Sequence, residues 1–131
     1  MKHLISAGDS SVAGGRLLFE ERIWGWYKVT DYVEFPNGQK VLTKLICIHN
    51  GKNISYQRHH HRHEVWTVVD GCGTLVLDGV VSEVAPGSVV QIAKEQMHTI
   101  RAKGTDLYFV EVQLGDLLQE DDIDRFPYSW E

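Results

Sequence analysis

From Trp24 onward, short apolar runs alternate with turn-forming residues, and the runs have strand length rather than helix length. Residues 24–32 are aromatic and β-branched. Residues 40–49 read Lys-Val-Leu-Thr-Lys-Leu-Ile-Cys-Ile-His, which predicts a mostly buried strand. Further runs cover 53–59, 64–69, 73–77, 80–84, 88–92, 98–102 and 106–112. Pro36-Asn37-Gly38, Asn50-Gly51, Asp70-Gly71, Asp78-Gly79, Pro86-Gly87 and Lys103-Gly104 punctuate them. This rhythm predicts an all-β sandwich or barrel. Asp78-Gly79, between two apolar runs, predicts a two-residue hairpin turn. The pattern fades at both ends. Residues 1–20, broken by Gly8, Gly14 and Gly15, read as an N-terminal arm, leaving 21–131 as one barrel with a C-terminal tail. Within that tail, residues 116–125 carry Leu117, Leu118 and Ile123 among acids and predict a short helix against the barrel's outside. Glu120, Asp121, Asp122 and Asp124 read as its solvated face.

At 131 residues the chain fits one domain with a real core. Its net charge of −5 argues against nucleic-acid or anionic-membrane partners. No apolar run approaches the roughly 20 residues that span a bilayer, and the apolar stretch at the start is too short for a signal peptide. The expected location is therefore the cytoplasm. Cys47 and Cys72 make no disulfide framework; Cys47 reads as a core thiol and Cys72 as a turn residue. The four tryptophans read mainly as packing residues.

Four of the seven histidines fall within five residues: His59, His60, His61 and His63, with Glu64 next. Imidazole and carboxylate suit first-row divalent metals. In a strand, Gln57, His59 and His61 share one face, and a tight bend could bring that face against Glu64. A further ligand must come from elsewhere. His98 is the remaining histidine in a strand-rich context, whereas His3 and His49 lack partners at useful spacing. A solvated basic surface is the bland reading; ligand spacing favours a metal.

The spacing resembles the cupin family. Its first motif is Gly, five residues, His-x-His, four residues, Glu, six residues, Gly. Gly51, Gln57-Arg58-His59, Glu64 and Gly71 reproduce every interval, with Gln57 in the first histidine position. In the second motif, Gly87 and His98 match, while Ala93, Glu95 and Ala102 stand for the family's Pro, Gly and Asn. The resemblance implies a single-domain jelly-roll barrel, also called a double-stranded β-helix, with one metal near its open end.

A narrower resemblance is to the isomerase domain of type II phosphomannose isomerases, usually fused to a mannose-1-phosphate guanylyltransferase. Their signature Gln-x-His-x-His-Arg-x-Glu-His-Trp is met by Gln57, His59, His61, Arg62, Glu64 and Trp66, with Val65 replacing His. The stretch from Glu111-Val112-Gln113 to Glu120-Asp121-Asp122-Ile123 also follows the family, as does "ERIWGWY" upstream. A nucleotidyltransferase domain has no room in 131 residues. The resemblance implies metal ligands Gln57, His59, Glu64 and His98, with His61 an alternate for Gln57. Zinc is favoured; iron, manganese, nickel and cobalt suit the donors too. It implies interconversion of mannose 6-phosphate and fructose 6-phosphate through an enediol. His61 and His63 are candidate bases, with Glu111 a weaker candidate that also reads as substrate-binding. Arg58, Arg62, Lys94 and Arg101 are candidates to hold the phosphate. By analogy with small cupins a homodimer is expected.

One departure matters. The family closes on Asp-x-Tyr-Gly-Arg, and this chain ends Phe126-Pro127-Tyr128-Ser129-Trp130-Glu131. That leaves two alternatives to an isomerase: a non-catalytic metal cupin that binds or senses a sugar, and a metal-dependent oxygenase.

Overall fold

The two longest buried apolar runs lie side by side in the larger of two antiparallel sheets. In a computed structural model, residues 3–6 and 19–130 are described, the first four through their backbone. The strands are β1 (His3–Ser6), β2 (Phe19–Arg22), β3 (Gly25–Glu34), β4 (Lys40–Ile48), β5 (Tyr56–Arg58), β6 (Arg62–Asp70), β7 (Gly73–Leu77), β8 (Val80–Val84), β9 (Val89–Ile92), β10 (His98–Ala102), β11 (Leu107–Gly115) and β12 (Asp124–Phe126). The larger sheet runs β1-β3-β4-β11-β6-β9, with β2 paired to β3. The smaller runs β12-β5-β10-β7-β8. Neighbours far apart in sequence are the mark of the expected jelly roll. The expected arm, residues 1–20, falls largely outside the described residues.

Strand alternation builds the core. On β11, Leu107, Phe109, Glu111, Gln113 and Gly115 are buried, and the residues between them are half-buried. On β6, Arg62, Glu64, Trp66 and Val68 point the same way. Phe109 and Trp66 meet at 4.7 Å between ring centroids. The smaller sheet contributes Leu75, Ile100 and Ala102 to the same cluster. Each such side chain removed from water contributes about 1.5–3 kcal/mol.

Asp78 and Gly79 have φ of 45° and 81°, the left-handed pair that a two-residue hairpin needs between β7 and β8. Gly115 is required for another reason. A Cβ there would stand 2.3 Å from the carbonyl oxygen of His61, so only glycine lets β11 approach the histidine bend.

The tail corrects the sequence reading. No helix forms over residues 116–125; the chain bends at Asp116, turns at 120–121 and adds β12 to the edge of β5. The apolar residues that suggested a helix face are half-buried, while Glu120, Asp122 and Asp124 make specific bonds. β2 and β12 were not anticipated. Among the described residues, no helix is long and apolar enough to cross a membrane.

Candidate metal centre

His59, Glu64 and His98 are buried, and each offers a ligand atom within 4.8 Å of the other two. They come from three places. His59 follows β5, Glu64 points inward from β6, and His98 opens β10 in the opposing sheet. Hydrogen bonds fix both rings. His59 Nδ1–H donates to the Asp122 carbonyl at 2.7 Å, and His98 Nδ1–H donates to the Gln96 carbonyl at 2.9 Å. A carbonyl only accepts, so the proton sits on Nδ1 in each ring and the Nε2 lone pair faces inward. His98 Nε2 is buried with no hydrogen-bond partner. A buried acceptor left bare is costly, and a divalent cation is the partner that this donor set fits.

The carboxylate is held as firmly. Glu64 Oε1 accepts from Trp66 Nε1 at 2.9 Å and Oε2 from Arg62 Nε at 2.9 Å. Arg62 also donates to His59 Nε2 at 3.3 Å. With no ion bound, the guanidinium occupies the His59 lone pair, and an ion held there would displace Arg62 from His59. Burial would raise the Glu64 carboxyl, but Arg62 and then His98 hold it below the usual carboxylate range. Burial, followed by the Arg62 charge, pushes His59 down to about 4, so its ring is neutral near pH 7.

A cavity of about 1130 Å³ opens beside this group. His59 belongs to both. Gln57, Arg62, Glu111, Lys44, Tyr27 and Arg125 also line it. Gln57 lies in register with His98, and its Oε1 accepts from Ser55 Oγ at 2.7 Å. Glu111 is buried; Trp66 Nε1 donates to one oxygen at 3.1 Å and Gln113 Nε2 to the other at 2.7 Å. Burial and the Glu64 charge raise its carboxyl above the usual range, against the pull of Lys44 and Arg62. Lys44, also buried, bonds Glu120 Oε2 at 3.1 Å and sits 4.1 Å from the Tyr27 ring centroid.

Asp122 ties the histidine bend to the tail. Its two carboxylate oxygens accept from the backbone N–H of His60 and His61, each at 3.0 Å, while its own carbonyl holds His59. Burial opposes the charge, yet those two N–H bonds keep the carboxyl below its ordinary value. On the other side, Glu95 N–H donates to the His59 carbonyl at 2.7 Å. Glu95 has φ of 68°, a left-handed conformation that costs a non-glycine residue about 1 kcal/mol. It occupies the position where the cupin motif places glycine.

Comparison with known proteins places this arrangement. Residues 18–128 match the family described as mannose-6-phosphate isomerase, C-terminal. The chain belongs to that family. The chain is 36% identical over 106 residues to the alginate biosynthesis protein AlgA of Pseudomonas putida, covering 80% of this chain and 21% of that protein. It is 34% identical over 126 residues to the xanthan biosynthesis protein XanB of Xanthomonas campestris pv. campestris, covering 95% and 26%. The chain thus spans 21% to 26% of the length of these relatives. An RmlC-like cupin from Shewanella frigidimarina superposes with a TM-score of 0.62 at 18% identity, covering 77% of this chain and 85% of that one. The shared fold is the cupin.

Within the barrel, the residues singled out from sequence are not all gathered. Gln57, His59, Arg62 and Glu111 line the cavity, and Glu64 and His98 lie against His59. His61 is exposed and does not line the cavity, because the chain bends at residues 60–61 and the alternation set by Gln57 and His59 ends there. His63 has the outward phase of β6 and shares a separate shallow depression with Lys94. Neither His61 nor His63 is placed to act as a base in the cavity, and Lys94 is not placed to meet a phosphate there. Arg58 pairs with Asp124 at 3.1 Å and Arg101 lies 5.7 Å from the Trp130 ring centroid; neither lines the cavity. Sequence reading missed Lys44, Arg22 and Arg125. Lys44 alone carried a signal: it shares the inward phase of Ile46 and Ile48, where a charge needs a reason.

Proposed function

We propose that the domain is a metal-dependent aldose–ketose isomerase interconverting mannose 6-phosphate and fructose 6-phosphate. The observation that carries this is the juxtaposition of the His59–Glu64–His98 group with a cavity holding a buried, unligated carboxylate and several cations. Such a cavity has room for a hexose phosphate. A divalent ion held by His59, Glu64 and His98, with Gln57 as a further oxygen donor, supplies Lewis-acid polarisation of the sugar's oxygens; zinc suits the donors first, and iron, manganese, nickel and cobalt are compatible.

Glu111 is the base that the geometry favours. It faces the cavity, stands apart from the ligand group and has a raised carboxyl, which brings its basicity nearer the working pH. It takes the proton from one of the two sugar carbons and returns it to the other. Trp66 and Gln113 fix its orientation. Arg62, Lys44, Arg22 and Arg125 line the cavity and supply positive charge for the phosphate.

The test is a coupled isomerisation assay on the metal-loaded chain. Turnover should vanish with chelator and return with metal. Glu111→Gln should lower kcat by about 10²–10⁴ with bound metal unchanged by elemental analysis. Full turnover in that variant would place the base elsewhere. A second reading, a sugar-binding cupin without catalysis, is favoured by the closing segment. Tyr128 packs at a tilt against Tyr56 at 5.1 Å and Trp130 packs edge-to-face with Tyr128 at 4.9 Å, away from the cavity lining. Sugar-phosphate binding without turnover under every metal tried selects that reading.

A further inference from the structure

We propose that Cys47, His49 and Asp106 form a second cation site, on the outer face of the larger sheet, for a borderline-soft divalent ion such as Zn²⁺. Their donor atoms lie within 4.8 Å of one another. Cys47 Sγ stands 4.0 Å from His49 Nδ1, and the same Nδ1 stands 3.5 Å from Asp106 Oδ2. Around a tetrahedral zinc with bonds of about 2.0–2.3 Å, neighbouring donors stand roughly 3.5 Å apart. The two separations at His49 are close to that spacing and all three groups lie within 4.8 Å, so small side-chain shifts bring them to one coordination shell. Asn50 N–H holds Asp106 Oδ1 at 2.8 Å, which leaves Oδ2 for the ion.

A cysteine, a histidine and an aspartate also invite comparison with a nucleophilic triad, and the geometry rejects it. A relay needs the thiol at one ring nitrogen and the carboxylate at the other. Here both face Nδ1, so the donors converge on a point instead of forming a line. The site is built by register. Trp26 and Tyr108 flank Cys47 on the neighbouring strands, and their rings meet at 6.2 Å. Cys47 is fully buried, while the His49 and Asp106 side chains are 51% and 42% exposed, so an ion enters from the solvent side. On binding, the thiol proton leaves to solvent and the sulfur coordinates as thiolate. The site clips the end of β4 to the segment that starts β11, and its sulfur donor gives it a softer preference than the His59 group.

Cobalt(II) separates the two sites, because the His59–Glu64–His98 group has no sulfur. The probe is Co²⁺ titrated into metal-free chain carrying Cys72→Ser, which removes the other thiol. Sulfur-to-cobalt charge-transfer absorption in the near ultraviolet should grow to saturation with one cobalt per chain at this site. Cys47→Ser should abolish that band while cobalt at the sulfur-free group is retained. His49→Ala, at an exposed position that leaves the core intact, should weaken the band's cobalt affinity by about tenfold or more. No band in the Cys72→Ser chain, a band surviving Cys47→Ser, or unchanged affinity in His49→Ala would each overturn the proposal.

Discussion

The two ends of the barrel interior use the same strands in the same phase for opposite purposes. At one end the cross-strand rows read Ile48–Leu107 and Tyr27–Ile46–Phe109–Val68. One pleat further, the row is Val29–Lys44–Glu111–Trp66, followed by Leu42–Gln113–Glu64–Ile92 and then Gly115–Arg62. Every one of these positions points inward. The first end is apolar, with Tyr27, Ile46 and Phe109 also walling the cavity; the second keeps charges buried only because each has a partner within bonding distance. The difference shows that an inward phase fixes where a side chain points and leaves open what it is for. Trp66 joins the two ends, stacking on Phe109 with its ring while its N–H serves Glu64 and Glu111.

Mutations can break the comparison from either side. Glu64→Ala should have the largest effect. It removes a ligand and leaves Arg62 buried without its carboxylate, so metal binding should be lost and stability should fall by about 3–5 kcal/mol. Elemental analysis and a denaturant melt check both. Phe109→Ala should cost a similar or slightly smaller stability, about 3–5 kcal/mol, through the cavity it leaves. Metal affinity in the folded fraction should change little, as calorimetric titration at low temperature would show. If Phe109→Ala also abolished metal binding, the two ends would be one cooperative unit.

Acid should weaken the polar end first. In the metal-free protein His59 takes a proton only near pH 4, whereas the unfolded chain does so near 6.5. The unfolded state thus binds more protons between these values, so stability falls as pH drops from about 6.5 to about 4. Glu120, Asp122 and Asp124, all held below their ordinary values, push the same way at lower pH. Urea midpoints across that window should fall for wild type and fall less for His59→Gln. The smallest effects belong to His61→Ala and His63→Ala. Both side chains lie outside the cavity, so turnover and metal content should stay within about twofold of wild type; a drop of a hundredfold in either would return that histidine to the site.

Most of the barrel was legible in the sequence because alternation and turn chemistry are local. The strands from β3 to β11 follow from runs of Val, Ile, Leu and aromatics between Gly-bearing turns. The tail was not legible. Leu117, Leu118 and Ile123 among acids resemble an amphipathic helix, but two backbone N–H groups and the His59 ring at the histidine bend need partners, and Asp122 meets all three from an extended segment. His61 was misplaced for a related reason: strand parity holds only while the strand continues, and it stops at the bend. The convergence of His59, Glu64 and His98 could be inferred from motif spacing alone. Alternation alone marks Lys44 as an inward charge, but its partners, and the meeting of His49 with Asp106, depend on cross-strand register between distant segments, which alternation within one strand does not encode.

Asp122 has a consequence for anyone who shortens or fuses this chain. All strands of the larger sheet are complete by Gly115, so a product cut soon after that point keeps the sheet's full hydrogen-bond ladder. Such a product loses the carbonyl that sets the His59 tautomer and the carboxylate that closes the histidine bend. A protease acting on the last sixteen residues, or a linker grafted in their place, would therefore yield a well-formed larger sheet beside an unanchored His59 ring.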